Sequence, residues 1–156
     1  MSTQGTLAAI CVATAKRGAM AQVPEAALVA GAGIVGDRNY RKAHPKPEEE
    51  LTLIAAEEID AFNARTGLQL DHAAVRRNLV TVNVPLNDLV GRRFFVGKVE
   101  VEGMELCEPC AIIGKLLATE DLPPNAIVRE FTHRAGLRAR IHSSGTIRCG
   151  DSIRWD

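Results

Sequence analysis

Apolar residues come in short runs separated by glycine, proline and charged positions. Thr6 to Ala15 is small and apolar, bounded by Gly5 and by Lys16-Arg17-Gly18, and this predicts a buried opening strand rather than a short helix. Glycine then punctuates Ala30 to Gly36, ahead of Asp37-Arg38-Asn39-Tyr40 and the polar stretch His44 to Glu50, the pattern of a strand end feeding an exposed loop. The clearest helix is predicted from about Leu53 to Arg65. Thr52 is placed to cap it, Ala55, Ile59 and Phe62 share a face at i, i+4 and i+7, and Gly67 is placed to stop it. Glu57, Glu58 and Asp60 fall off that stripe, as expected of a solvated helix face.

The rest of the chain reads mainly as strands. Leu79 to Val84 ends at Pro85, and Phe94 to Val96 and Val99 to Leu106 are β-prone pieces between Gly and Asn turns. Val99 and Val101 alternate with Lys98, Glu100 and Glu102, but after Gly103 the apolar phase moves to Met104 and Leu106, which predicts a bulge or tight turn at Gly103. Helices are expected from about Cys110 to Ala118 and from Pro124 to His133. Leu137, Ala139 and Ile141 then alternate with Arg138, Arg140 and His142, and Ile147 and Ile153 flank a Gly150-Asp151 turn. Many short strands, few helices and no βαβ rhythm predict a mainly β, barrel-like domain with a few flanking helices, spanning residues 1–156 as one unit.

Composition narrows the class. A hydrophobic fraction of 46% and a charged fraction of 24% are those of ordinary globular chains, which disfavours disorder, collagen and coiled coil. Formal net charge is zero, from 19 basic and 19 acidic residues, so no global field draws the chain to nucleic acid or an anionic membrane. No apolar run approaches the roughly 20 residues a membrane helix needs. Lys16 and Arg17 follow the first apolar run rather than precede it, the wrong order for a signal peptide. Four cysteines are too few for a disulfide scaffold and are expected as reduced thiols in the cytoplasm.

Chemistry concentrates at Leu106-Cys107-Glu108-Pro109-Cys110-Ala111, where a strand ends and a helix begins. Pro109 suits the first helical position, which would leave Cys110 in the first turn among unpaired N–H groups that favour thiolate. Such a thiolate is a nucleophile, sulfur acceptor or soft-metal ligand. The plain alternative is that both thiols are small core residues, and this is the expectation for Cys11 and Cys149. Zinc is disfavoured, because no second CxxC and no spaced histidine pair completes four ligands. A dithiol oxidoreductase using Cys107 and Cys110 fits the spacing but not the missing βαβ pattern. Basic residues form a second constellation: Arg38, Arg76-Arg77-Asn78, Arg134, Arg138 and Arg140. Arg134 and Arg140 singly read as solvated surface charges, whereas Arg76, Arg77 and Asn78 together can hold a phosphate and the polar edge of a ring. Histidines 44, 72, 133 and 142 are scattered and carry no assigned role, and Gly31-Ala32-Gly33 lacks the rest of a dinucleotide fingerprint.

Gly33-Ile34-Val35-Gly36-Asp37-Arg38, Arg76-Arg77-Asn78-Leu79-Val80, Leu86-Asn87-Asp88-Leu89-Val90-Gly91, Phe95-Val96-Gly97, Cys107-Glu108-Pro109-Cys110, Gly136-Leu137-Arg138-Ala139 and Gly145-Thr146-Ile147-Arg148-Cys149-Gly150-Asp151 occur in one order along the chain. In that ordered set the chain resembles the MOSC family, the domain found at the C-terminus of molybdenum-cofactor sulfurases and in small stand-alone bacterial relatives. The resemblance implies a β-barrel-like fold and carries the family's reactive cysteine, which can also be a metal ligand, onto Cys110. It makes Asp37, Arg38, Arg76, Arg77, Asn78 and Arg138 candidates for holding the pterin and phosphate of molybdenum cofactor (molybdopterin). Asn39 departs from the histidine common in relatives after the Gly-Asp-Arg triplet.

Two mechanisms follow from the resemblance. In one, Cys110 receives sulfane sulfur as a persulfide from a separate desulfurase, which would carry the pyridoxal phosphate. In the other, Cys110 ligates molybdenum and the domain reduces a small N-hydroxylated substrate with electrons from a separate flavin or iron–sulfur protein. A non-catalytic module that holds or delivers the cofactor is the reading from a different class.

Overall fold

The computed structural model describes residues 3–41 and 46–156; His44 and the first part of the polar loop expected around it lie outside the described residues. Eleven strands and three α-helices are present among them: β1 Gln4–Val12, β2 Ala21–Val23, β3 Glu25–Val29, β4 Gly33–Ile34, β5 Leu51–Ala55, α1 Ala56–Thr66, β6 Leu79–Val82, β7 Arg93–Val96, β8 Val99–Leu106, α2 Ala111–Leu117, α3 Pro124–Phe131, β9 Leu137–Ile141, β10 Gly145–Arg148 and β11 Ser152–Arg154. The order β1-β6-β5-β9-β8-β7-β11 closes on itself through pairing of β11 with β1, giving a seven-stranded barrel, with β2 added to the far end of β1. All neighbours in the barrel are antiparallel except β5 and β6, and β10, β3 and β4 form a separate three-stranded sheet.

Strand alternation divides the apolar residues between two cores. Leu7, Leu53, Leu79, Phe94, Val101, Leu137 and Ile153 pack inside the barrel, while Ala9, Cys11, Ile54 and Val80 face outward under the three helices. Leu7 and Ile10 both point inward although three residues apart, because a register shift between Leu7 and Ala9 resets the phase of β1. The helical layer is fastened by Ile59 and Phe62 of α1 against Ile127 and Phe131 of α3, the two Phe rings stacking at 4.4 Å. The shift expected at Gly103 is present between Gly103 and Glu105. A Cβ at Gly103 would lie 2.1 Å from the carbonyl oxygen of Leu89, so this crossing requires glycine.

Some elements differ from the sequence expectation. The helix predicted from Leu53 begins at Ala56, and Thr52 does not cap it. Leu51–Ala55 is instead a strand, paired parallel to β6 and antiparallel to β9, and burial of Leu51 and Leu53 inside the barrel outweighs their helical spacing. Gly67 does terminate the helix, at φ 76 with its N–H donating to the Asn63 carbonyl. Strands β2 and β3 fall in a segment without apolar alternation and were not predicted. Pro109 lies outside α2, whose N-cap is Cys110 (φ −112, ψ 172), since the first helical bond runs from Gly114 N–H to the Cys110 carbonyl. Cys149 is exposed rather than a core residue. No helix among the described residues is long and apolar enough to cross a membrane.

Candidate functional site

The site is built where β8 leaves the barrel and α2 begins. Cys107 is buried and Cys110 exposed; both are free thiols. Arg77, in the segment entering β6, sends its side chain beneath this junction. It is 8% exposed, and its Nε donates to Ala135 O at 2.8 Å, Nη2 to Cys107 O at 3.1 Å and Glu108 O at 3.5 Å, and Nη1 to Val75 O at 3.5 Å. No carboxylate pairs with this guanidinium among the described residues. Its pKa is lowered, first by burial and also by the nearby Arg138 and Arg38, while Cys107 and Cys110 act in the opposite sense. Arg38, Arg138, Cys107 and Cys110 are therefore all within electrostatic reach of Arg77.

Arg76 turns the other way. Its backbone is left-handed (φ 61), and its Nη1 donates to the Gly18 carbonyl. Burial, then the neighbouring Arg38, lower its pKa. Arg38 lies between Asp37 Oδ1 at 3.1 Å and the Met20 sulfur at 3.3 Å. Asp37 is itself committed, accepting from Ala13 N at 3.1 Å and Asn39 N at 3.3 Å, so it anchors Arg38 and the turn rather than facing solvent. Arg138, half-buried on β9, has Glu105 at 3.9 Å as its acidic neighbour.

Asn78 is brought near the cluster, but its polar atoms are spent inside the barrel wall. Its Nδ2 donates to Cys11 O at 3.1 Å, and its Oδ1 accepts from Thr52 N at 3.2 Å and Thr52 Oγ1 at 3.1 Å. The amide therefore ties β1 to β5 across β6. Thr52, expected as a helix cap, uses its hydroxyl for this bond because its backbone belongs to a strand.

Residues that the sequence left without a role complete the neighbourhood. Glu108, inside the Cys-Glu-Pro-Cys segment, grips His133 twice: Oε1 accepts its backbone N–H at 2.7 Å and Oε2 pairs with its Nδ1 at 2.6 Å. Asn87 holds the His133 carbonyl at 2.9 Å. A groove of about 400 Å³, lined by Arg17, Arg76, Ile112, Lys115 and Leu116, runs along the exposed face of α2. Of its walls the sequence singled out Arg76, whereas Lys16-Arg17-Gly18 was legible as a break but not as a wall. A larger cleft of about 820 Å³, with Glu57, Glu58, Asp88 and Trp155 among its walls, contains none of the predicted site residues.

No curated protein matches the chain in sequence. Its fold is similar to that of the YuaD protein from Bacillus subtilis, with TM-score 0.83, 18% identity, and coverage of 96% of this chain and 94% of that one. It is similar to YiiM from Geobacillus stearothermophilus (TM-score 0.75, 16% identity, 97% and 75% covered) and YiiM from Escherichia coli (0.72, 18%, 99% and 70%). At such identities the likeness speaks to the fold, which agrees in being mostly β around a closed barrel with three helices. The MOSC domain family model matches residues 40–154, a span that contains Arg76, Arg77, Cys107, Cys110 and Arg138, and the chain therefore belongs to the MOSC domain family.

Proposed function

We propose that the chain works through the Cys110 thiol as a molybdenum-cofactor-binding or sulfur-carrying domain. The observation that carries this reading is the pairing of an exposed thiol with a buried, carboxylate-free guanidinium: Arg77 fixes the carbonyls of Cys107 and Glu108 from below and leaves Cys110 accessible. A buried cation with only carbonyl partners favours a bound anion beside it.

The residues present fit the cofactor. Among the described residues no group of three or more His, Cys, Asp or Glu side chains gathers to hold a metal. A metal carried by a cofactor brings most of its own ligands, and the Cys110 thiol would add one soft ligand. In this reading Arg38, Arg76 and Arg138 would bind the pterin edge and phosphate, with Arg77 as the charged floor and Asp37 and Asn78 as supports. When bound, the cofactor supplies redox chemistry at its metal for a small N-hydroxylated substrate, with electrons from a separate flavin or iron–sulfur protein.

Exposure of Cys110 supports the second use of the same thiol. Its thiolate attacks the terminal sulfur of a desulfurase persulfide; a Cys110–sulfur bond forms, the donor's sulfur–sulfur bond breaks, and the donor cysteine leaves as thiolate. The pyridoxal phosphate of that reaction stays on the desulfurase.

The deciding measurement is molybdenum and released pterin per chain, for wild type and Cys110→Ser expressed in a host that makes the cofactor. Near-stoichiometric metal in wild type, lost in the variant, is the result expected of a ligand. Metal and pterin absent from both, with persulfide trapped at Cys110 after incubation with a desulfurase, assigns the carrier role. Absence of metal, pterin and persulfide overturns the reading.

A further inference from the structure

The groove along α2, the helix that Cys110 precedes, is not used in full by the cofactor reading. Ile112 and Leu116, 47% and 57% exposed, are spaced i, i+4 and form an apolar strip on a helix whose other face, Ile113, Gly114 and Leu117, is buried. The walls around the strip are cationic: Arg17, Arg76 and Lys115, without a carboxylate among the lining residues. Arg17 and Lys115 are exposed and form no ion pair among the described residues. Arg17 and Arg76 are both non-glycine residues held at positive φ, 62 and 61, so two left-handed backbone positions converge on one groove. Elsewhere on the surface Arg65, Arg93 and Arg148 are each paired with a glutamate, while single cations such as Arg92, Lys98 and Arg134 stand apart from any comparable apolar strip. Cations left unneutralised around an apolar strip are suited to a ligand that is itself apolar and negatively charged.

We infer that this groove is a recognition subsite for an apolar anion, an aromatic or aliphatic body lying on Ile112 and Leu116 with its carboxylate, sulfonate or phosphate on Arg17 and Lys115, which brings its reacting group to Cys110. The volume of about 400 Å³ is that of a small-molecule site. Ile112 stands two residues after Cys110, the N-cap of α2, so the strip begins within the first turn after the thiol. The inference rests on Cys110 being the working group, and the test separates the two.

The test uses methanethiosulfonate reagents, which share one reaction: the Cys110 thiolate attacks the sulfenyl sulfur, methanesulfinate leaves, and a mixed disulfide forms. Rates of Cys110 modification are followed by intact mass on the full chain carrying Cys149→Ser, which removes the other exposed thiol. With each rate divided by that of the same reagent with a free small thiol, the anionic sulfonatoethyl reagent should outpace the cationic trimethylammonioethyl reagent by about tenfold or more at low salt, and the advantage should collapse at 1 M salt, where the Debye length is about 3 Å. The neutral benzyl reagent should exceed the methyl reagent by about threefold or more.

Arg38, Arg77 and Arg138 would also favour an anion, so the variants decide. Arg17→Glu with Lys115→Glu should remove the larger part of the anion preference while leaving the methyl reagent's rate unchanged. Ile112→Ser with Leu116→Ser should erase the benzyl preference alone. These side chains are exposed, and Lys115→Glu by itself, read the same way, provides a milder variant. Anion preference unchanged in the charge variants, or absent from wild type, overturns the groove while the thiol reading stands. Failure of Cys110 to react with any reagent in the folded chain overturns both.

Discussion

Cys11 and Cys110 bring the same side chain into opposite settings. Cys11 sits on the outer face of β1 under the helices, fully buried, with its backbone N–H and carbonyl both bonded to Asn78. Burial pushes its thiol up to about 11, with Asp71 and Cys149 adding to the shift. Cys110 stands at the N-cap of α2 in solvent, beside a buried guanidinium that pairs with no carboxylate among the described residues. One thiol is sealed in its neutral form by apolar neighbours, and the other is presented on a rigid cationic base. What separates them is the polar group beneath each: Asn78 serves the barrel wall, whereas Arg77 serves the junction.

The sharpest way to break this contrast is Arg77→Met. Methionine fills comparable volume but leaves the Ala135 and Cys107 carbonyls without their charged donor, so a loss of about 3–4 kcal/mol is expected in urea unfolding. Cys110 modification by neutral reagents should slow at the same time. If stability falls but the reactivity of Cys110 does not, Arg77 belongs to the wall rather than to the site.

Asn78→Ala attacks the other side of the comparison. It removes the bonds to Cys11 and Thr52, and about 2–3 kcal/mol of stability should go with them. With the barrel still folded, molybdenum or persulfide at Cys110 should stay near wild type, because the Asn78 amide faces the strands. A specific loss of cofactor would instead make Asn78 a direct contact.

Cys11→Ala should cost about 1 kcal/mol near neutral pH, and its pH dependence is the more telling readout. The folded thiol titrates near 11 against an ordinary value of 9.0, so its contribution is complete below pH 9 and is lost as the pH rises towards 11. Thermal unfolding at pH 8 and pH 10.5 should therefore show wild type ahead at the lower pH and the gap closed or reversed at the higher. A constant gap would mean that Cys11 is not sealed.

Much of this arrangement was legible in the sequence, for identifiable reasons. Strict alternation fixed β8 and β9, and the phase change at Gly103 exposed the bulge. The ordered motifs led to Cys110, Arg38, Arg76, Arg77 and Arg138, which the fold brings to one end of the barrel. Other features depend on partners distant in sequence. Leu51–Ala55 reads as the start of a helix until β6 and β9 are present to pair with it. Asn78 looks like a binding amide until Cys11 and Thr52, 67 and 26 residues away, claim its atoms. The α2 groove needs Arg17, Arg76 and Lys115 from three separate segments, and no local pattern announces that meeting.

The Glu108–His133 clamp sets the smallest of the expected effects and the most local. Glu108 bonds both the backbone N–H and the Nδ1 of His133, which has φ 63 and follows α3, so the Cys-Glu-Pro-Cys segment is tied from outside as Arg77 ties it from inside. His133 and Glu108 side chains are 72% and 41% exposed, and water screens their attraction. Glu108→Gln keeps an oxygen for the backbone N–H and loses only the ring contact, so global stability should fall by under about 1 kcal/mol. Amide hydrogen exchange should nevertheless quicken over residues 107–111 and around residue 133, while β5 and β6 remain protected. Faster exchange confined to these segments, with a small change in unfolding, would show that the two fastenings of Cys110 differ in kind: Arg77 is part of the core's stability, and Glu108 only steadies the loop. Equal loosening of the barrel strands would show that the junction and the wall form a single cooperative unit, and the distinction between the two thiols would then rest on exposure alone.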